Sequence, residues 1–121
     1  MNKFDLEKRL IDFSVLIFEI VKTFPDDKFY NNLTGQMIRS STSSALNYGE
    51  AQSGESRKDF IHKLKVILKE LRETMIGLKI IKKIDPDLSD EILNEAIQEC
   101  NELISIFVKS VETSTRNLKS G

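Results

Sequence analysis

The sequence predicts an all-α protein: an antiparallel, up-down-up-down bundle of four helices. Three observations predict it. Apolar residues recur at helical spacing along three long segments, and small and polar residues do so along a fourth. The breaks between segments are short and carry Pro, Gly or Asp, which suits antiparallel neighbours. No stretch alternates with the period of two that a strand requires. With 121 residues, 40% hydrophobic and 31% charged, the chain suits one domain over its whole length.

The first helix is expected at about 4–24. Leu6, Leu10, Phe13, Leu16, Ile17, Ile20 and Phe24 form one apolar stripe, and Pro25 with two aspartates ends the element. A second apolar set, Phe4, Ile11, Val15 and Phe18, lies on the opposite side. A surface helix of a monomeric bundle needs one stripe. Two mean that the helix is central or that the second face meets another subunit, and the subunit contact is the expectation.

Residues 28–32 read as a connector, with Asn31 or Asn32 as the cap of a helix at about 33–51. This segment carries Ser40, Ser41, Thr42, Ser43 and Ser44 in a row, a linker-like composition. Its spacing is helical. At about 100° per residue, Gln36, Arg39, Ser43, Asn47 and Glu50 make a polar stripe, with Leu33, Met37, Ser41, Ala45 and Tyr48 roughly opposite. A small-residue body lets neighbouring helices approach closely, with long polar side chains tucked between them. The stripe Gln36, Arg39, Asn47 and Glu50 then reads as an interhelix hydrogen-bond network, or as a ligand or partner site.

Gly54 breaks the chain before a third helix at about 56–84. Ser56 with Asp59 three residues on has the form of a capping box. Phe60, Leu64, Ile67, Leu68, Leu71, Met75 and Leu78 form its core stripe, and Ile80 and Ile84 add apolar surface on another side. With the second stripe of the first helix, they complete the expected subunit interface. After Asp85-Pro86-Asp87, a fourth helix is expected from Ser89 or Asp90 to about 117, with Lys119, Ser120 and Gly121 fraying. Its core stripe is Leu93, Ala96, Ile97, Cys100, Ile104, Phe107 and Val111.

Charge is sorted between helices. Lys58, Lys65, Lys69, Arg72, Lys79 and Lys83 make a basic ridge along the third, and Glu91, Glu95, Glu99 and Glu102 an acidic ridge along the fourth. These read as solvated faces, as ridges that pair within or between subunits, or as a track for the phosphates of RNA or DNA on the basic side. No aromatic residue interleaves with the lysines to stack bases. The formal net charge of −1 supplies no global attraction to nucleic acid.

Residues that carry catalysis are scarce. There is one histidine, His62, and one cysteine, Cys100, so a Cys-based zinc site and an internal disulfide are excluded. Cys100, in mid-stripe, reads as a small buried hydrophobe. Arg57 and His62 have the Arg-four-residues-His spacing of the HEPN class of helical ribonucleases. Lys58 stands where that class carries an amide or acid, and His62 reads as a surface residue. The expectation is no enzyme, no cofactor and no metal. The apolar run Val15–Phe18 is too short for a membrane or signal segment, so the expectation is a cytoplasmic protein without a membrane.

The segment LTGQMIRSSTSSALNYGEAQSGESRKDFIHKLKVILKELRET resembles a bacterial four-helix bundle family. That family is associated with reading frames inside intervening sequences of large-subunit ribosomal RNA genes. The resemblance rests on Leu33-Thr34-Gly35-Gln36, Arg39, the small residues 40–45, Asn47-Tyr48-Gly49-Glu50, Phe60 and Lys69-Glu70. It implies a ring of five subunits without enzymatic activity. It also implies kinship with the basic accessory protein of diversity-generating retroelements, which binds nucleic acid and a reverse transcriptase. The near-neutral charge departs from that relative. The function expected is a homo-oligomeric scaffold or adaptor; the alternative is an RNA- or DNA-binding accessory protein.

Overall fold

A computed structural model describes residues 2–53, 56–87 and 90–120. They form four helices: α1 (Lys3–Val21), α2 (Lys28–Ala51), α3 (Arg57–Ile84) and α4 (Asp90–Ser120). α1 packs on α2 and α4, and α3 packs on α2 and α4, while the diagonals make no close backbone approach. The four helices therefore stand at the corners of a square, with one core between them.

That core follows the apolar stripes. Leu10, Phe13 and Ile17 of α1 are fully buried with Leu64, Ile67, Leu71 and Leu78 of α3 and Leu93, Cys100 and Phe107 of α4. Leu103 joins them, and the ring of Phe107 meets Tyr48 edge to face. Leu16, Phe60, Leu68, Ile97, Ile104 and Val111 border the core and stay half-buried.

Three boundaries differ from expectation. α1 stops at Val21 and not near Phe24, because the residue before Pro25 is pushed out of the helical region. The chain closes there with tighter bonds, Thr23 N to Ile20 O and Phe24 N to Val21 O. α2 starts at Lys28, so residues 28–32 are helix and not a connector. Its cap is Asp27, whose Oδ1 accepts from Tyr30 N at 2.8 Å; Asn31 and Asn32 lie inside the helix. α4 continues through Lys119 to Ser120. Gly54, Ser89 and Gly121 lie outside the described residues.

Ser56 caps α3 through Asp59 N at 3.1 Å. The reciprocal box forms instead on α1. Asn2 Oδ1 accepts from Phe4 N and Asp5 N, and the Asp5 carboxylate accepts from Asn2 N.

Candidate functional site

The polar stripe of α2 faces α3 along the seam of these two helices. Small side chains bring them together: Ser40, Ser41 and Ser44 are buried, and Ser40 Oγ shares a 2.6 Å hydrogen bond with Thr74 Oγ1 of α3. Thr74 Oγ1 also donates to Glu70 O at 3.0 Å, so the buried hydroxyls are satisfied inside the seam. Ser14 Oγ of α1 donates to Ser41 O at 2.9 Å, fixing α1 against the same small-residue body.

Long side chains close the seam at its rim. The Arg39 guanidinium donates to Glu70 Oε2 at 3.0 Å and to Glu73 Oε2 at 2.6 Å. Those bonds, Glu73 first and then the charge of Glu70, hold the guanidinium pKa above its ordinary value. Glu70 is a buried carboxylate, and Arg39 covers it from a position that is itself more than half exposed. Three turns on, Lys63 Nζ donates to Glu50 Oε2 at 2.6 Å and to Asn47 Oδ1 at 3.3 Å. Asn47 Nδ2 in turn donates to Ser43 O and Ser43 Oγ.

Of the four stripe residues, Arg39, Asn47 and Glu50 thus reach α3. Gln36 does not: its one bond is a long 3.5 Å contact to Asn32 on its own helix. The stripe lies along the rim and is not tucked between the helices, because the serine body is already close-packed beneath it. Glu70, Glu73, Lys63, Thr74 and Gly77 complete the seam, and the apolar stripes do not single them out. The available signal is Gly77, since a glycine inside a long helix costs roughly 1 kcal/mol and needs a packing reason. The reason is Met37: a Cβ on Gly77 would stand 2.8 Å from Met37 Cγ.

The basic ridge residues Lys58, Lys65, Lys69, Arg72, Lys79 and Lys83 are all exposed on α3, with Arg72 and Lys79 beside α4. Lys65, Lys69 and Arg72 line a shallow groove of about 450 Å³ with Leu68, Glu73 and Ile76. Among the described residues no ion pair joins this ridge to the acids of α4. Pairing between ridges within one subunit is therefore absent there. Glu99 instead accepts from Arg9 of α1, with Glu102 3.8 Å from the same guanidinium. A groove of about 600 Å³ runs between α1 and α4, lined by Asp12, Glu19, Glu95, Glu99 and Glu102 around Val15 and Leu16.

The second apolar stripe of α1 is exposed: Phe4 68%, Ile11 50%, Val15 54% and Phe18 52%. Ile80 and Ile84 are exposed on α3, with Ile76 beside them. Arg57 and His62, five positions apart on one helix, project about 140° from each other at 100° per residue. They do not converge on one substrate atom. Cys100 is buried, donates to Leu71 O at 3.3 Å, and has its thiol pushed up to about 12 by burial. Among the described residues no cluster of His, Cys, Asp and Glu could hold a metal. No helix is long and apolar enough to cross a membrane.

A sequence model of the family described as 23S rRNA-intervening sequence protein matches residues 2–109. The bundle is similar to the crystal structure of a protein with unknown function from the S23 ribosomal protein family of Bacteroides thetaiotaomicron. The two are 25% identical with a TM-score of 0.79, over 88% of this chain and 97% of that one. Among curated proteins there is no match.

Proposed function

The chain belongs to the 23S rRNA-intervening sequence protein family, and from that premise we propose that it is a non-enzymatic, self-assembling scaffold or adaptor. The observation that carries this reading is the unpartnered apolar stripe of α1. Phe4, Ile11, Val15 and Phe18 stay outside a core that is complete without them. Covering a large apolar side chain contributes roughly 1.5–3 kcal/mol. Several per subunit, repeated around a closed assembly, outweigh the entropy of association. The number five comes from the family resemblance alone. The α2–α3 seam has the character of a structural network: its polar groups are spent on each other. Light scattering of the unmodified protein at micromolar concentration tests assembly, and a mass near one subunit, 13.9 kDa, overturns it.

The exposed ridge of α3 favours a second reading, an RNA- or DNA-binding accessory protein. Lys65, Lys69 and Arg72 stand together on one solvent face with one carboxylate among them, Glu73. Affinity capture of the native protein, with and without nuclease, separates the two readings. Partners that survive nuclease support the scaffold; partners lost with the nucleic acid support the accessory role.

A further inference from the structure

The acidic groove lies between α1 and α4, and the basic ridge runs along the outer face of α3, with Arg72 and Lys79 at its α4 edge. No basic residue lines the first. The second continues from Lys65, Lys69 and Arg72 through Lys79 to the neutral edge of α4, Ile97, Asn101 and Ile104. Each face has an apolar centre: exposed Val15 on one, exposed Ile76 on the other.

The sorting behind these faces is strong. α3 carries nine basic residues against three acidic, and α4 six acidic against three basic, in a chain whose net charge is −1. A helix that only had to be soluble would gain by mixing signs at i,i+4. Segregation forfeits those pairs and adds self-repulsion along α3. Within the subunit the offset is partial: Lys8 pairs with Asp12, Lys22 with Glu19, and Arg9 with Glu99 and Glu102. These exposed or half-exposed pairs contribute little each, and among the described residues the ridge meets no acid of α4.

We infer that the acidic α1/α4 groove of one copy docks on the basic ridge of α3 of a second copy, Val15 meeting Ile76 between the charges. This inference rests on the self-assembly reading and names its contact. The two patches differ, so the contact is head-to-tail, and its geometry decides whether it closes. The two patches point in different directions, so each contact turns the next subunit and does not extend a straight row. The same contact covers the ridge, so self-assembly and nucleic-acid binding compete.

Three chains test it by sedimentation velocity at low and high salt, with circular dichroism as the check on folding. The first carries Lys65→Glu, Lys69→Glu and Arg72→Glu; the second Asp12→Lys, Glu95→Lys and Glu102→Lys; the third all six. Each single-face variant is expected to stay helical and fall to the mass of one subunit. The six-fold variant, with both signs exchanged, regains the assembled mass. Should that variant not fold, an equimolar mixture of the two single-face variants reads the same pairing as association above the mass of one subunit, since each supplies the face the other needs; only an even number of subunits closes a ring in the mixture. Assemblies that survive both single-face reversals, or that neither the exchange nor the mixture restores, overturn this contact and leave self-assembly standing. An unmodified protein that is monomeric overturns both. A single-stranded oligonucleotide that binds the ridge without displacing assembled subunits also overturns this contact.

Discussion

Gly77 and Met37 meet where α3 crosses the small-residue body of α2. Met37 is fully buried, and the crowded atom is its Cγ, in mid-chain rather than at the flexible end. Gly77→Ala is expected to destabilise despite the better helix propensity of Ala, because overpacking costs roughly 1–3 kcal/mol against a gain of roughly 1 kcal/mol. At Gly35 and Gly49 a Cβ meets nothing within 4 Å, so Gly35→Ala and Gly49→Ala are expected to stabilise. Urea unfolding of the three variants checks the opposite signs. Cys100 makes a prediction in pH. Its folded pKa lies above the ordinary value of 9.0, at about 12, so the folded state holds the proton more tightly. The stabilisation this brings is complete below pH 9 and is lost as pH rises from there through about 12. Cys100→Ala is expected to lower stability at neutral pH through the lost packing and to decline less between these limits. Denaturant unfolding of both proteins across that range measures the difference.

Where the described residues include the cap, each helix begins on a side chain that accepts from the third amide of its first turn: Asn2 for α1, Asp27 for α2 and Ser56 for α3. The cap at Asp27 matters most for the reading of the sequence, because it adds a turn of helix in front of Leu33. Asp27→Ala is expected to cost about 1 kcal/mol. Asn31→Ala and Asn32→Ala, inside the helix and exposed, are expected to stay within roughly 0.5 kcal/mol. Thermal unfolding of these variants separates a helix that starts at residue 28 from one that starts near 33. The long rim pairs of α2 and α3 add register rather than much energy. Lys63–Glu50 and Arg39–Glu73 are largely solvated, while the serines beneath set how closely the helices approach.

Across the whole molecule, apolar surplus and charge sorting meet at two residues, Val15 in the acidic groove and Ile76 in the basic one. Replacing Val15 and Phe18 together with Asp is expected to reduce the assembled mass to that of one subunit. The helical signal in circular dichroism should persist, since both side chains are more than half exposed in the subunit. Nucleic-acid binding carries its own signature. Phosphate contacts release counterions, so log affinity falls with log salt by about 0.9 per contact on duplex DNA. The expectation is weak or absent binding in a gel-shift assay at physiological salt. Submicromolar binding with a steep salt slope, lost on Lys65→Glu, Lys69→Glu and Arg72→Glu, would make the accessory role the better reading.

Four helices were legible in the sequence because each stripe repeats at the helical period over many turns, as Leu64, Ile67, Leu71 and Leu78 do, and periodicity is a local property of the chain. The helical character of the serine-rich segment was legible for the same reason, through Gln36, Arg39, Asn47 and Glu50. Boundaries were less so. Asp27 and Asn32 are equally good caps in composition, and only the packing of α2 on its neighbours selects between them. Of the α2–α3 seam, one half could be read. That Arg39 covers Glu70 and Lys63 bridges Asn47 to Glu50 depends on which helix stands beside which, and no spacing along one helix contains that information. The charge ridges were visible as lists of residues. Their placement, one in the α1/α4 groove where Arg9 takes Glu99 and one on the outer face of α3 with no α4 acid paired to it among the described residues, was decided by tertiary structure. Coulomb pairing needs atoms within a few ångströms, and only the folded chain brings them there.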